Sequence, residues 1–311
     1  LKLIASEQYG KKTIDYQLFD DKPHLTEFKK IVLRNAGNDF NKGHCRDAVV
    51  HTTVLRDPLL NVDALAYRPT IVFINGVYWG LYGLREKVDK YYFNYNHGVD
   101  PENIDLLSAH NILTVEGTND DFIALKDFIL DNDMTVASNY DQVKNWLDIE
   151  SYVDWIIINS YVGNKGWPKE DLKYWRSYEN GFKWRYMVVD VDQSMGLNGL
   201  AEPDHDLIGT EYIPASTNAH AHMTMQLWLN EDFRNYFLNR YADIMNTTFH
   251  PWNFTPVLQS VKANIAPEML RQIQRWGGGG LNNFNHQLDV KVQGYIDTVS
   301  YTHLRAHETR R

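Results

Sequence analysis

The chain is poor in cysteine, in long apolar runs and in positive charge, and each shortage excludes a class of protein. Its single cysteine, Cys45, cannot form a disulfide within the chain, so we expect a small half-buried residue without a nucleophilic role. The most apolar stretch, Tyr152–Val162, is too short to cross a bilayer, so we expect no membrane insertion. A net charge of −9 argues against binding to nucleic acid, whose phosphates require clustered lysine and arginine.

From the sequence we expect the chain to be cut short at both ends. The sequence opens on Leu1 without an initiator methionine, so we expect any secretion signal to lie upstream. Residues 299–311 resemble the translated sequencing adapter found on metagenomic gene fragments, and we leave them out of the fold prediction. With 43% hydrophobic and 23% charged residues, the chain has the composition of an ordinary globular protein.

Strand signals dominate the first part of the sequence. Residues 28–34 predict a strand, and residues 46–55 predict a helix. Residues 70–84 predict a β-hairpin, because Asn75 and Gly76 supply the positive φ angles that a tight turn requires.

Helix signals dominate the remainder. Thr118 and Asp121 resemble a capping box that opens a helix, and residues 148–161 predict a buried helix that begins with acidic residues. Further strands are predicted at 104–107, 172–177 and 182–189, and further helices at 88–92, 223–229, 232–245 and 267–276. This order favours an α+β fold in two parts over alternating βαβ units.

A pair of aspartates gives the clearest chemical signal. The apolar strand that begins near Trp184 ends in Asp190 and Asp192, whose side chains share one face if the backbone stays extended. Neighbouring carboxylates suit Mg²⁺ or Mn²⁺, which prefer oxygen ligands and keep phosphate and water in their shell. Taken alone, the pair could equally be a solvated strand end or a helix cap.

A polar loop precedes this strand and strengthens the metal hypothesis. Residues 163–176 leave the buried helix and enter the strands that deliver Asp190, and Asp171 lies in this loop. A metal-binding loop followed by strands that return a second ligand is typical of phosphoryl-transfer sites, where catalysis depends on positioning and charge neutralisation.

Several segments, taken in order, resemble the CotH-type atypical kinases of spore coats. They are Val32–Asp39 with Arg46 and Asp47, the hairpin 72–89, the Trp-Pro loop at 167–176, the Asp190 and Asp192 strand, and the helical segments 227–234 and 237–248. The resemblance covers residues 1–298. It implies a bilobal protein-kinase-like fold without the usual glycine-rich phosphate loop, with a strand-rich N-lobe at 1–86 and a helical C-lobe at 87–298.

The resemblance also implies site residues. Asp190 would bind the nucleotide's metal, with Asp192 as a second candidate, and Trp184 would stack on adenine. Glu86, near the hinge, would face the edge of the adenine. Two plain alternatives stay open, because Trp184 could belong to the core and Glu86 could only pair with a neighbouring basic residue.

One position departs from the family pattern. Family loops place a catalytic aspartate where this chain has Gly166, which has no side chain to accept a proton. Asp171 occupies the place of a metal-binding asparagine and could replace it as a ligand. The resemblance therefore implies binding of ATP with Mg²⁺ or Mn²⁺, whereas the departure leaves phosphoryl transfer open.

Two other features are weaker. The phosphate-binding lysine of the family would be Lys2 or would lie upstream. His220 and His222, with Asp204, His205 and Asp206, resemble a zinc cluster, but their spacing favours a structural or exposed role.

Three functions follow from these patterns. The first is an active kinase that phosphorylates a secreted, cell-surface or spore-coat protein with ATP and a divalent metal. The second is a nucleotide-binding pseudokinase or interaction module, which Gly166 favours. The third is a carbohydrate-active enzyme, suggested by nine Trp and nineteen Tyr among many acids, which predicts that Asp171 and Asp190 do not converge.

Overall fold

The computed structural model describes residues 1–167, 169–179, 181, 183–199, 203, 205–214 and 218–299. Its strands are β1 Lys2–Ile4, β2 Ile14–Asp15, β3 Glu27–Phe28, β4 Lys30–Arg34, β5 Tyr67–Ile74, β6 Val77–Glu86, β7 Ile104–Ser108, β8 Leu113–Glu116, β9 Lys173–Ser177 and β10 Arg185–Met187. Its helices are α1 Arg46–Arg56, α2 Lys90–His97, α3 Asp120–Asp131, α4 Ala137–Trp146, α5 Ile149–Tyr161, α6 Ala219–Leu227, α7 Glu231–Asn246, α8 Pro251–Trp276 and α9 Gly280–Asn285. With about 49% helix and 17% strand, the chain is the mixed protein of helices and antiparallel sheets that the sequence predicted.

The first sheet has the strand order β1-β4-β6-β5 and contains the predicted hairpin. Asn75 and Gly76 join β5 to β6 with φ angles of 50° and 77°, which is the primed turn expected from this pair. Strand β4 pairs with β6 only from Gly83 to Glu86, so the other half of β6 extends beyond it. Arg34, at the end of β4, therefore pairs with Gly83 in the middle of β6, and Ile31 pairs with Glu86, where the chain leaves this sheet.

The second sheet has the order β10-β9-β7-β8 and packs against α5. Helix α5 is apolar on nearly all sides and buried along its length, and the Asp148 side chain caps it by accepting from the Ser151 N–H at 3.1 Å. It lies in the largest hydrophobic cluster, which continues through α6, α7 and α8 to Val299, a residue only 1% exposed. The second sheet thus packs against a buried helix of the main hydrophobic cluster.

Three local predictions were wrong at their boundaries. Helix α3 begins at Asp120 without a side-chain cap, because the Thr118 N–H donates to Asp105 and the Asp121 carboxylate pairs with Arg176. Strand β10 is confined to three residues, whereas α8 runs through Pro267 and starts sixteen residues earlier than predicted, at Pro251. The buried stripe formed by Leu258, Val261, Ile265 and Met269 holds α8 together across the proline.

No helix in the described ranges combines the length and the apolar character needed to span a membrane.

Candidate functional site

A cavity of about 340 Å³ is lined by residues from both sheets. Its apolar lining consists of Val32, Leu65, Val88, Leu172 and Val189. Its charged lining includes Arg34, Asp47, Arg85, Glu86, Lys87, Glu170, Asp171, Lys173 and Asp190. The cavity therefore joins an apolar wall to a dense group of charges, and it brings Asp171 and Asp190 together as the metal hypothesis required.

Asp190 does not continue the strand that leads to it. Strand β10 ends at Met187, and Asp190 has a φ of 49°, a left-handed conformation that costs a residue with a side chain roughly 1–2 kcal/mol. Such backbone strain clusters at functional sites, where surrounding contacts hold it. The prediction that Asp190 and Asp192 share one face of an extended chain was thus wrong, because the backbone turns at Asp190.

The two aspartates consequently occupy different environments. The Asp190 side chain is 44% exposed and lines the cavity, whereas that of Asp192 is 2% exposed. Asp192 accepts from the Asn38 N–H at 3.0 Å and from Asn38 Nδ2 at 3.2 Å. Burial and the charge of Asp190 raise the pKa of Asp192 to about 6, against the opposing effect of Arg34. Asp192 is an anchoring residue beneath the loop that contains Gly37, and it does not line the cavity.

Arg34 connects both aspartates, a role that the sequence analysis missed. One guanidinium nitrogen donates to Asp190 and, at 2.6 Å, to Asp192. Burial opposes its charge, but Asp47, Asp190 and Asp192 together raise the pKa of Arg34. Its position two residues after Val32 on β4 puts both side chains on the same strand face, and this alternation was the available signal.

Asp47, on α1, ties this helix to the cavity. Its carboxylate pairs with Arg85, accepts from the Val191 N–H at 3.2 Å and lies 3.9 Å from Arg34 Nε. Burial opposes ionisation of this carboxyl, but Arg85, His51 and Arg34 hold the pKa of Asp47 well below its usual range. Helix α1, the first sheet and the Asp190 turn are thus held by a single carboxylate.

Asp171 lies directly over Gly166. The Gly166 carbonyl accepts from the backbone N–H groups of Lys169 and Glu170, each at 3.2 Å, which folds the loop back on itself. A Cβ placed on Gly166 would overlap the Asp171 carboxylate, with Cγ only 2.5 Å away. Burial, followed by the charges of Asp190 and Asp192, raises the pKa of Asp171 to about 8.

Glu86 lines the cavity, but its carboxylate is occupied within the protein. It accepts from Lys22 Nζ, the Ala66 N–H and Asn96 Nδ2, each at 2.8 Å. These bonds anchor the segment where the chain passes from the first sheet to α2. The side chain is therefore turned toward structural partners, and neither predicted neighbour, Arg85 or Lys87, is its partner in these bonds.

Trp184 lies outside this cavity. It is 1% exposed and packs edge-to-face on Phe122 at 5.1 Å, with the Arg176 guanidinium 5.2 Å from its ring. Its backbone N–H donates to the Trp146 carbonyl at 2.7 Å. The structure thus separates Trp184 from the carboxylates and assigns it to the core, which was the plain alternative.

The remaining candidates also lie elsewhere. Lys2 is exposed on β1, at the edge of the first sheet, and does not line the cavity. Cys45 is fully buried, and this burial raises the pKa of its thiol.

His220 is enclosed by the core. Its Nδ1 lies 2.9 Å from the Tyr186 hydroxyl, and burial lowers the pKa of His220 to about 3. Asp204 lies outside the described residues, and within them no group of three or more His, Cys, Asp or Glu side chains is arranged to hold a metal. A cation in the cavity would therefore rest on one or two carboxylates, which is the protein contribution that Mg²⁺ commonly has when phosphates complete its shell.

The comparison with protein-family models agrees with the resemblance predicted from the sequence. The model of the CotH kinase protein family matches residues 5–301, which is nearly the whole chain. The chain therefore belongs to the CotH kinase family. No curated protein matches it.

Proposed function

We propose that this chain is a CotH-like kinase that uses ATP and Mg²⁺ or Mn²⁺. The observation that carries the proposal is the 340 Å³ cavity, in which an apolar wall adjoins Arg34, Asp171 and Asp190. In this proposal residues 1–86 form the N-lobe and residues 87–298 the C-lobe of a kinase-like arrangement. The cavity then lies at the junction of the lobes, because it is lined by β4 and β6 on one side and by β9 and the Asp190 turn on the other.

The apolar wall suits the flat face of an adenine. Val32, Leu65, Val88 and Leu172 supply it, and the adjoining segment 86–88 supplies backbone groups for the edge of the base. Trp184 would have to leave its core position to reach this wall, so the proposal assigns the base to the four aliphatic residues.

The charged end suits the phosphates and their cation. Arg34 has the fork of donors that phosphate prefers, and Lys173 lines the same cavity. Asp190 is the exposed carboxylate and the proposed metal ligand, with Asp192 held behind it. A bound divalent cation would neutralise phosphate charge at this end of the site. Asp171, the other predicted ligand, lines the same cavity, but burial, followed by the charges of Asp190 and Asp192, raises its pKa to about 8, so we assign the cation to Asp190.

Two alternatives differ in their support. Two observations favour the pseudokinase: Arg34 already neutralises Asp190, and Gly166 offers no carboxylate. The carbohydrate-active enzyme lacks comparable support, because Asp171 and Asp190 line one cavity.

The acceptor and the location follow only from the family. We propose a protein acceptor in a spore-coat, cell-surface or secreted setting, as the CotH family suggests.

Thermal unfolding with ATP and Mn²⁺ tests the nucleotide site. A ligand at a hundred times its Kd stabilises a protein by about 2.7 kcal/mol, so the Tm of the wild-type chain should rise by several degrees. Asp190→Asn should lose the Mn²⁺-dependent part of this rise. Asp141→Asn, the same change on the exposed surface of α4, should retain it. If ATP and Mn²⁺ leave the wild-type Tm unchanged, the proposed function is wrong.

A further inference from the structure

The carboxylate of Asp171 fills the space that a side chain at position 166 would need. We propose that Asp171 is the catalytic carboxylate of this site, orienting the acceptor hydroxyl and taking its proton, and that position 166 is glycine to make room for it. This inference rests on the proposed phosphoryl transfer. Gly166 is then a steric requirement of the site and not the sign of a lost catalytic residue.

The backbone of Gly166 does not itself require glycine. The φ angle of Gly166 is not positive, so a residue with a side chain could adopt the same backbone conformation. Gly181, by contrast, has a φ of 67° and open space around it. The need for glycine at 166 is therefore one of space, and the atom that occupies the space is Oδ2 of Asp171.

Asp171 is also the carboxylate that the protein leaves available. Arg34 pairs with both Asp190 and Asp192, and Asn38 donates twice to Asp192. No hydrogen bond or ion pair joins the Asp171 side chain to another described residue, and this side chain lines the cavity. A catalytic carboxylate needs such an unoccupied oxygen within reach of the reacting group.

The oxygen of an acceptor hydroxyl forms a bond to the γ-phosphorus of ATP, and its proton passes to Oδ2 of Asp171, which reacts in its ionised form. The bond from the γ-phosphorus to the bridging oxygen breaks, and ADP leaves with that electron pair. Asp171 returns the proton to solvent after the products leave.

The first test measures transfer from labelled ATP with Mn²⁺ to casein, to the chain itself and to water. Asp171→Asn should lower kcat on the order of 10²–10⁴-fold, as loss of a general base does. Its KM for ATP and its thermal stabilisation by ATP and Mn²⁺ should stay close to wild type. Asp141→Asn is the matched control, being the same change at an exposed position on α4.

The second test exchanges the two positions. Gly166→Ala should displace the Asp171 carboxylate and reduce transfer as strongly as Asp171→Asn does. Adding Asp171→Ala to Gly166→Ala should recover thermal stability but not transfer, because the overlap is gone and so is the carboxylate. Gly166→Asp combined with Asp171→Ala should recover part of the transfer, because a carboxylate again fills the shared space.

The outcomes separate this inference from the proposed function. If ATP and Mn²⁺ stabilise the wild type but no transfer occurs to casein, to the chain or to water, Asp171 is not catalytic and the nucleotide site stands. A raised KM with unchanged kcat in Asp171→Asn would make Asp171 a metal ligand and overturn the inference. Full activity of Gly166→Ala, or an inactive folded Gly166→Asp and Asp171→Ala variant, would show that the two positions do not share one space.

Discussion

Asp190 and Asp192 are the same residue type, but their side chains differ in exposure and in hydrogen-bond partners. They lie two positions apart, yet one is 44% exposed in the cavity and the other is 2% exposed beneath Asn38. The positive φ of Asp190 turns the chain at that point, so the two side chains do not continue along one strand face. Proximity to Arg34 then stabilises both charges. A pattern of spacing alone contains none of this information.

Asp171 should affect the pH dependence of stability. Its pKa is raised from 3.8 to about 8, so between these values the folded chain keeps a proton that the unfolded chain releases. The stabilisation that this group provides is fully present below pH 3.8 and is lost as the pH rises toward 8. The variant Asp171→Asn does not titrate there, so its advantage in unfolding free energy over wild type should grow from pH 4 to pH 8 and then level off.

Urea unfolding of both proteins at intervals across this pH window measures the effect. Asp141→Asn serves as the control for the loss of a carboxylate. A difference between wild type and Asp171→Asn that stays constant from pH 4 to pH 8 would contradict the environment described for Asp171.

Local elements depend on glycine in two opposite ways. Gly76 and Gly294 both have open space where a Cβ would lie, but only Gly76 has a positive φ, at 77°. Gly76→Ala should therefore destabilise the chain by about 1 kcal/mol or more through strain in the hairpin turn. Gly294 lies in the helical segment 293–299, and Gly294→Ala should stabilise the chain by up to about 1 kcal/mol.

Chemical unfolding of the two alanine variants beside wild type provides the measurement. Because both sites have open space, steric overlap cannot explain a difference between them. Equal effects of the two substitutions would argue against the primed turn.

Helix α8 packs against strand β6 of the first sheet. The part of β6 that extends beyond β4 would leave backbone groups unpaired, and α8 satisfies them. Gln272 Oε1 accepts from the Leu81 N–H at 2.8 Å, and Trp276 Nε1 donates to the Trp79 carbonyl at 2.6 Å. Helix α8 thus completes the part of the first sheet that lies next to Gly83, where Arg34 of β4 pairs with β6.

Gln272→Ala should destabilise the whole chain by about 1–3 kcal/mol, because the buried Leu81 N–H loses its acceptor. Gln274→Ala, two residues along the same helix but exposed, should change the stability by less than about 0.5 kcal/mol. Thermal unfolding of both variants decides the point. Equal Tm values for the two would mean that α8 does not complete the sheet.

For the whole molecule, the order of helices and strands could be predicted from the sequence, but the contacts between them could not. Turn chemistry at Asn75 and Gly76, and the apolar length of α5, are local properties, so the hairpin and the buried helix could be predicted from sequence. The start of α8 could not, since Pro267 ordinarily begins a helix and only packing against its neighbours carries this helix through it.

The amino-acid sequence alone established the family, the α+β order of elements and the aspartates to consider, because motifs and periodicity are properties of neighbouring residues. The folded arrangement determined which charges meet: Arg34 with Asp190, Asp47 with Arg85, and Asp171 over Gly166. These pairs join residues far apart in the chain or depend on how a loop closes. Distance and burial set the energy of a charge, and both exist only after folding.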